Sequence, residues 1–331
     1  MANIIKFCTG AKLSNPYLVY IKKVFNWIGE LSEEGKSLLS CWVDSVWCSV
    51  RYGSMIRQYS VGKFYKYSGC QRDKMMTTRR FFQIVKKANN PDYIKYLENK
   101  LLFNEYFKPF VQRKWYDSTS ITLEQFRELV EAPSGAIIKP LDGMEGQGVY
   151  KLMGGAIDEE YKKVKGLHAI VEECLVQHPG MCFGNKSVNT IRVITVWDEK
   201  AKKAQLIKAV LRAGVGTAVV DNFHQGGCAY EVDIPTGYVC SKGISATKSD
   251  IIIHPGTDIC MLGYKVPNWT AVVNGCLKAQ SMLPQCRYIS WDVAITTDGI
   301  ELIEGNHNGD YDMLEFVGST GYYEKIKKFI Q

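Results

Sequence analysis

The sequence predicts an α+β chain built in several subdomains behind a helical opening. Three observations carry this: apolar residues recur at helical spacing up to about residue 110, β-rich runs separated by glycine take over after Pro133, and helical stretches fall between those runs at about 158–166 and 268–282. At 331 residues and 46% hydrophobic, the chain can bury two or three packed cores, and its composition argues against disorder.

The first helical stripe is Leu18, Ile21, Val24, Phe25 and Ile28, and the second is Leu38, Leu39, Trp42, Val43, Val46, Trp47 and Val50, with Gly35 as the turn between them. Such stripes are expected to be packing faces. A third helix is expected to start at an N-cap on Thr77 or Thr78 and to break at Asn89-Asn90-Pro91. 'PDYIKYLENKLLFNEYF' then reads as one strong helix carrying Lys100. Strands follow in 'GAIIKPL', 'GVYKL', 'HAIVEECL', 'NTIRVITVWD', 'KAQLIKAVLRAG' and 'GCAYEVDI', with a closing hairpin 'YISWDVAIT' and 'IELIEGN' turning at Thr297-Asp298-Gly299. The subdomain boundaries expected from this texture are 1–110, 111–175 and 176–331.

The formal net charge of +7 is concentrated: residues 51–90 hold ten basic side chains and one acid, a local +9 that leaves −2 for all the rest. Tyr52, Tyr59, Phe64, Tyr65, Tyr67, Phe81 and Phe82 interleave with these cations. The mixture suits a membrane surface, an anionic saccharide or a nucleic-acid face, or is simply a solvated helix face. Confinement to forty residues favours an accessory surface for an acidic saccharide or a membrane over nucleic acid. Eleven cysteines with no CxxC pair and no initial secretory h-region indicate free thiols in a reducing cytoplasm, and five scattered histidines lack zinc-finger spacing. The longest apolar stretch, Leu38 to Val50, is too short to span a bilayer. A cytoplasmic protein, with peripheral attachment through the basic segment at the inner face of the membrane, is the expectation.

Three constellations could carry chemistry. 'DGMEGQGV' places Gly143, Gly146 and Gly148 between two strands, either a plain β-turn loop or a loop whose amides approach phosphate oxygens. It is neither a Walker A sequence nor a dinucleotide fingerprint. Lys139, at the end of a buried strand, needs an anionic partner, and a nucleotide phosphate would serve. In the last hairpin Glu304 and Asn306 share a face by strand alternation and Asp292 lies opposite them, an oxygen set that suits Mg²⁺ unless the hairpin is an ordinary acidic one. The apolar neighbours of Asp292 and Glu304 argue that the set is not wholly exposed. Arg192 and Arg212, on adjacent strands within apolar runs, would neutralise a phosphoryl group or form a salt bridge across the sheet. 'DNFHQGG' could present Asn222 and His224 to a reacting carboxylate.

In this order and spacing the blocks resemble the ATP-grasp superfamily, most of all the sugar-transfer-associated ATP-grasp proteins, and more distantly the ribosomal-protein glutamate ligases. The resemblance runs from about Thr77 to the C-terminus, some three quarters of the chain. It implies an ATP-grasp fold of two α/β subdomains gripping ATP. It also implies that Lys100 and Lys139 contact ATP, that Glu145, Gly146, Gln147 and Gly148 form the mobile phosphate loop, and that Glu172, Glu173, Cys174 and Leu175 form the hinge holding adenine. Asn189 and Arg192, then Arg212 and Asn222, match positions approaching the γ-phosphate and acceptor. Asp292, Glu304 and Asn306 match the triad for two Mg²⁺ ions, with Mn²⁺ able to substitute. Two departures stand out. Ser290 occupies the position where some ligases carry an arginine, so Arg192 or Arg212 must supply that charge, and beyond the hinge only His178 is offered to the ribose.

The activity implied is carboxylate–amine ligation through an acyl phosphate, with ADP and phosphate released. The partners are then a carboxylate and an amine, the carboxylate a uronic acid or other saccharide or cell-surface component. The same lysines and metal set would serve a kinase acting on a hydroxyl, and a binding module built on residues 51–90 is the reading from a different class. No general base stands out, although His224 and His307 adjoin the right motifs.

Overall fold

A computed structural model describes residues 37–60, 62–141, 148–185, 187–216, 227–245, 250–309 and 311–330. The stripe from Leu18 to Ile28, the turn at Gly35, and Glu145, Gly146, Gln147, Asn222 and His224 lie outside the described residues.

The elements run α1 (Leu38–Tyr52), α2 (Ile56–Ser60), α3 (Gly69–Lys74), α4 (Thr78–Ala88), α5 (Pro91–Glu98), α6 (Lys100–Tyr106), β1 (Trp115–Asp117), α7 (Leu123–Glu131), β2 (Ala136–Pro140), β3 (Tyr150–Leu152), α8 (Ile157–Lys165), β4 (Ala169–Glu173), β5 (Thr190–Asp198), β6 (Lys203–Ala213), β7 (Cys228–Val232), α9 (Trp269–Met282), β8 (Tyr288–Ile295), β9 (Ile300–Asn306), α10 (Tyr311–Glu315) and α11 (Tyr322–Ile330). Short 3₁₀ turns interrupt the loops.

Two antiparallel sheets organise the strands. The first has the order β1-β4-β2-β3, the second β7-β6-β5-β8-β9. α7 and α8 supply Phe126, Leu129, Val130 and Val164 to the core of the first sheet, against Ile138 and Val171. On the second sheet the odd-numbered residues of β5 and β8 (Ile191, Val193, Ile289, Trp291, Val293) pack with Val272, Cys276 and Ala279 of α9. Even-numbered residues face the other way, and there α4 and α11 cover Ile194, Val196 and Tyr288. Period-two alternation thus assigns one face to the main core and leaves the end of the opposite face, around Arg192 and Asp292, for chemistry.

Four expectations need correction. 'PDYIKYLENKLLFNEYF' is two helices, because the Asn99 carboxamide accepts from the amides of Leu101 and Leu102 at 3.0 and 3.1 Å and so begins α6 afresh. Thr77 precedes α4, but its hydroxyl donates to the Tyr52 carbonyl at 2.6 Å and does not cap the helix. The stripe from Leu39 to Val50 is no core face: α1 packs through Cys41, Ser45, Cys48 and Tyr52, and the larger apolar side chains point outward. The stretch 111–132, to which periodicity assigned no element, holds β1 and α7; the latter opens with a reciprocal capping box between Thr122 and Gln125, a T-x-x-Q signal present in the sequence.

The N-terminal helices dock on the C-terminal segment through specific polar contacts. Glu315 accepts from the amides of Met76, Gly321 and Tyr322 at 2.7, 2.9 and 2.9 Å. Arg57 meets the buried Asp312 at 2.6 Å. Lys208 is fully buried and donates to the carbonyls of Leu314, Val317 and Ser319, satisfying all three ammonium protons.

Candidate active site

The β5–β8–β9 register brings the acidic and basic residues together. Arg192 lies directly opposite Asp292, Asp292 opposite Glu304, and Ser290 opposite Asn306, while Arg212 of β6 is opposite Thr190. All therefore project from one sheet face. Arg192 Nη2 and Arg212 Nη2 both donate to Asp292 Oδ2 at 3.1 Å. Arg192 Nε stands 2.5 Å from Asp292 Oδ1 as a close ion pair off the N–H axis, so this buried oxygen has no aligned donor. Arg192 Nη1 is also 3.4 Å from Ser290 Oγ, which puts the guanidinium beside the position that lacks an arginine of its own.

The two carboxyls differ. Burial pushes Asp292 up to about 7 in spite of the two arginines, with the neighbouring Glu304 charge adding to the rise. Crowding by protein also disfavours charge on Glu304. The Arg192 guanidinium, the hydrogen bond with Asp292 and the Asn306 carboxamide outweigh it and hold this carboxyl below its usual range. Asn306 Nδ2 donates to Glu304 Oε1 at 3.1 Å. Asp292 is buried whereas Glu304 reaches solvent, so the set is neither wholly shielded nor wholly exposed. Among the described residues no group of three or more His, Cys, Asp or Glu side chains is disposed to hold a metal ion. Asp292, Glu304 and Asn306 combine two carboxylates and one amide oxygen, a donor set for a hard cation that keeps some of its water.

The lysines gather at the end of β2. Lys100 Nζ donates to the carbonyls of Pro140 and Leu141 at 2.9 and 3.2 Å, so it sits at the end of β2. Lys139 pairs with Glu172 of the adjacent strand. Gly148 has φ +72° and would bring a Cβ to 2.9 Å from the Pro140 ring, which accounts for glycine there.

Glu172 is the acceptor at the centre of a buried network that no sequence signal announced. It takes Arg113 Nη2 and Asn104 Nδ2, each at 2.8 Å, as well as Lys139. Arg113 Nη1 continues to Glu301 of β9 at 3.2 Å and to the Leu302 carbonyl at 2.8 Å. Burial alone would raise the Glu172 carboxyl, but Arg113 and then Lys139 drive it far below its ordinary value. The network joins the first sheet to the second and ends on a lysine expected to bind ATP.

Several expected site residues are used elsewhere. The Glu172 side chain faces this network and not a ligand. The Glu173 and Cys174 amides donate to the carbonyls of Lys114 and Gly135 at 2.8 and 2.9 Å, and Leu175 follows just past the strand. His178 Nδ1 accepts from the Gly180 amide at 3.0 Å, capping the turn that follows. Asn189 is fully buried and braces three segments, donating to the Met181 carbonyl at 2.6 Å and accepting from the Gly214 amide at 2.7 Å; it does not face the site. His307 turns away from Asn306 and meets Glu98 of α5 at 3.0 Å.

Among solved structures, the chain is similar to the ATP-grasp ligase PsnB complexed with a phosphomimetic variant of its minimal precursor, Mg and ADP, at 13% identity and a TM-score of 0.45, covering 74% of this chain and 61% of that one. It is also similar to an ADP complex of PurK, N5-carboxyaminoimidazole ribonucleotide synthetase, at 12% identity, TM-score 0.43, and 72% and 52% coverage. A third is the macrocyclase MdnC from Microcystis aeruginosa MRC bound with precursor peptide MdnA, at 11% identity, TM-score 0.44, and 74% and 64% coverage. The chain thus spans about three fifths of the length of the PsnB chain. No curated protein matches it. The family described as sugar-transfer associated ATP-grasp matches residues 161–331, which is over half of the chain and includes Arg192, Arg212, Asp292, Glu304 and Asn306. The chain belongs to the sugar-transfer associated ATP-grasp family.

Proposed function

We propose that the protein is an ATP-dependent carboxylate–amine ligase. The observation that carries this reading is the convergence of Arg192, Arg212, Asp292, Glu304 and Asn306 at one end of one sheet face. Lys100 and Lys139 at the end of β2 add the cations that a triphosphate needs. Adenine would be held at Leu175, and the phosphates would run toward Lys100 and Lys139 at the end of β2.

The donor set fits Mg²⁺, since the buried Oδ1 of Asp292 has no aligned donor and Glu304 is held in its charged form. Asp292, Glu304 and Asn306 would hold the metal, which would supply charge neutralisation for the phosphates when bound. Lys139 exchanges Glu172 for a phosphate oxygen. Arg192 and Arg212, which converge on Asp292, would orient the acceptor carboxylate in line with the γ-phosphorus. A carboxylate oxygen bonds to phosphorus as the bond to ADP breaks, and the two arginines offset the charge on the acyl phosphate. The incoming amine then bonds to the acyl carbon, phosphate leaves with the C–O electron pair, and the nitrogen's proton passes to the departing phosphate. We take the acceptor to be a uronic acid or related saccharide carboxylate, in keeping with the family description.

The test is an ADP-release screen crossing uronic acids and amino acids with amines, repeated with hydroxylamine in place of the amine. A ligase yields a hydroxamate in step with ADP. ADP release without hydroxamate identifies a kinase acting on a hydroxyl.

A further inference from the structure

Helix α1 is amphipathic in reverse. Its buried side is made of Cys41, Ser45, Cys48 and Tyr52, while Leu39, Val43, Val46, Trp47 and Val50 are 74, 64, 57, 57 and 68% exposed. At 100° per residue these five fall within an arc of roughly 100°, one continuous apolar strip along the helix. The strip continues past the helix end. Arg79 Nη2 donates to the carbonyls of Val50 and Arg51 at 3.2 and 3.1 Å, which sets the start of α4 against the end of α1. Phe82, 58% exposed, and Lys86 follow Arg79 on the same flank of α4 at i+3 and i+7.

The charge around this strip has one sign. Arg51, Arg79, Lys86 and Lys87 are all exposed. The only acids between residues 37 and 90 are Asp44 and Asp73. Asp44 takes both terminal nitrogens of Arg72, at 2.8 and 2.7 Å, and Asp73 lies 3.8 Å from Arg51 and 3.9 Å from Arg80. Both acids of the described segment 37–90 thus lie against arginines. No helix among the described residues is long and apolar enough to cross a membrane.

We propose that this face of α1 docks on an anionic lipid bilayer, with the helix lying in the plane of the headgroups. Leucine, valine and tryptophan side chains gain by entering the acyl boundary, and the arginines and lysines at the edge reach lipid phosphates. A hydroxylated acidic saccharide would satisfy the cations but leave the apolar strip in water. A second copy would bring the same cations against themselves. The inference is independent of the ligase reading, since none of these residues belongs to the β5–β8–β9 site.

The experiment is co-sedimentation of the full chain with vesicles of phosphatidylcholine and phosphatidylglycerol at seven to three, against phosphatidylcholine alone. Two variants accompany the wild type, Val43→Asp/Trp47→Asp and Lys86→Glu/Lys87→Glu. All four side chains are exposed, and circular dichroism checks that both variants fold. The wild type should bind the anionic vesicles, weakly on phosphatidylcholine and less as salt rises, and each variant should bind about tenfold less. Absence of vesicle binding, as when the first 36 residues cover the strip, overturns the proposal. So does vesicle binding that neither variant reduces. A dimer in sedimentation equilibrium that Val43→Asp/Trp47→Asp dissociates, or binding to alginate in place of vesicles, overturns it in favour of a copy-to-copy or saccharide surface.

Discussion

Replacing Arg113 by Met removes a side chain that connects the two sheets through charge. Arg113 and its partners Glu172 and Glu301 are 2, 3 and 6% exposed at their side chains, so water cannot replace the lost bonds. Removing one member of a buried ion pair costs about 3–5 kcal/mol, because a charge is left behind without its partner. Here the lower end applies. Glu172 keeps Lys139 and Asn104, and Glu301 keeps the Gln112 amide at 2.9 and 3.1 Å to its two oxygens. Arg113→Met should therefore lose about 3 kcal/mol, read as a lower urea midpoint at unchanged slope. Arg113→Met/Glu301→Gln should recover part of that loss by removing one stranded carboxylate. If Arg113→Met costs less than about 1 kcal/mol, as an exposed pair would, the network is not what ties the sheets together.

Four further outcomes follow from particular contacts. Asp292 is raised from 3.8 to about 7, so below that pH it carries a proton that Mg²⁺ must displace; Mg²⁺ affinity by calorimetry should rise about tenfold per unit up to about pH 7 and then flatten. Without the ion the sign for folding is opposite: a raised carboxyl costs stability as pH climbs from about 4 to about 7, and Asp292→Asn should flatten that slope in urea titrations. Lys208→Met strands the buried carbonyls of Leu314 and Val317 and should cost about 3 kcal/mol, with limited proteolysis cutting first between residues 314 and 330. Asn99→Ala removes two cap bonds and should cost about 1 kcal/mol, with equal protection of α5 and α6 amides from exchange contradicting the two-helix description.

The parts of the site legible in the sequence are those governed by strand alternation. Period two puts Glu304 and Asn306 on one face of β9, a register shift between Asp292 and Val293 that alternation does not announce brings Asp292 opposite Glu304, and Arg192 falls opposite Asp292 once the neighbouring strand is aligned. What could not be read depends on contacts far apart in sequence. Asn189 looks available beside Arg192 until Met181 and Gly214 are seen to use its carboxamide. Arg113 has no local pattern, because Glu172 and Glu301 lie 59 and 188 positions away. Residues 38–50 show the limit of periodicity itself: it finds a helix with an apolar stripe, but the small and polar opposite side is what Phe64 and Met75 cover.

The ligase reading stands on transfer of an acceptor oxygen to phosphorus. The direct measurement uses a carboxylate drawn from the ADP-release screen, labelled with ¹⁸O in both carboxyl oxygens, and mass analysis of the phosphate released with the amine present. Acyl phosphate formation predicts one ¹⁸O in each phosphate, matched to ADP. Phosphate carrying no label, with ADP formed at the same rate, would contradict the account.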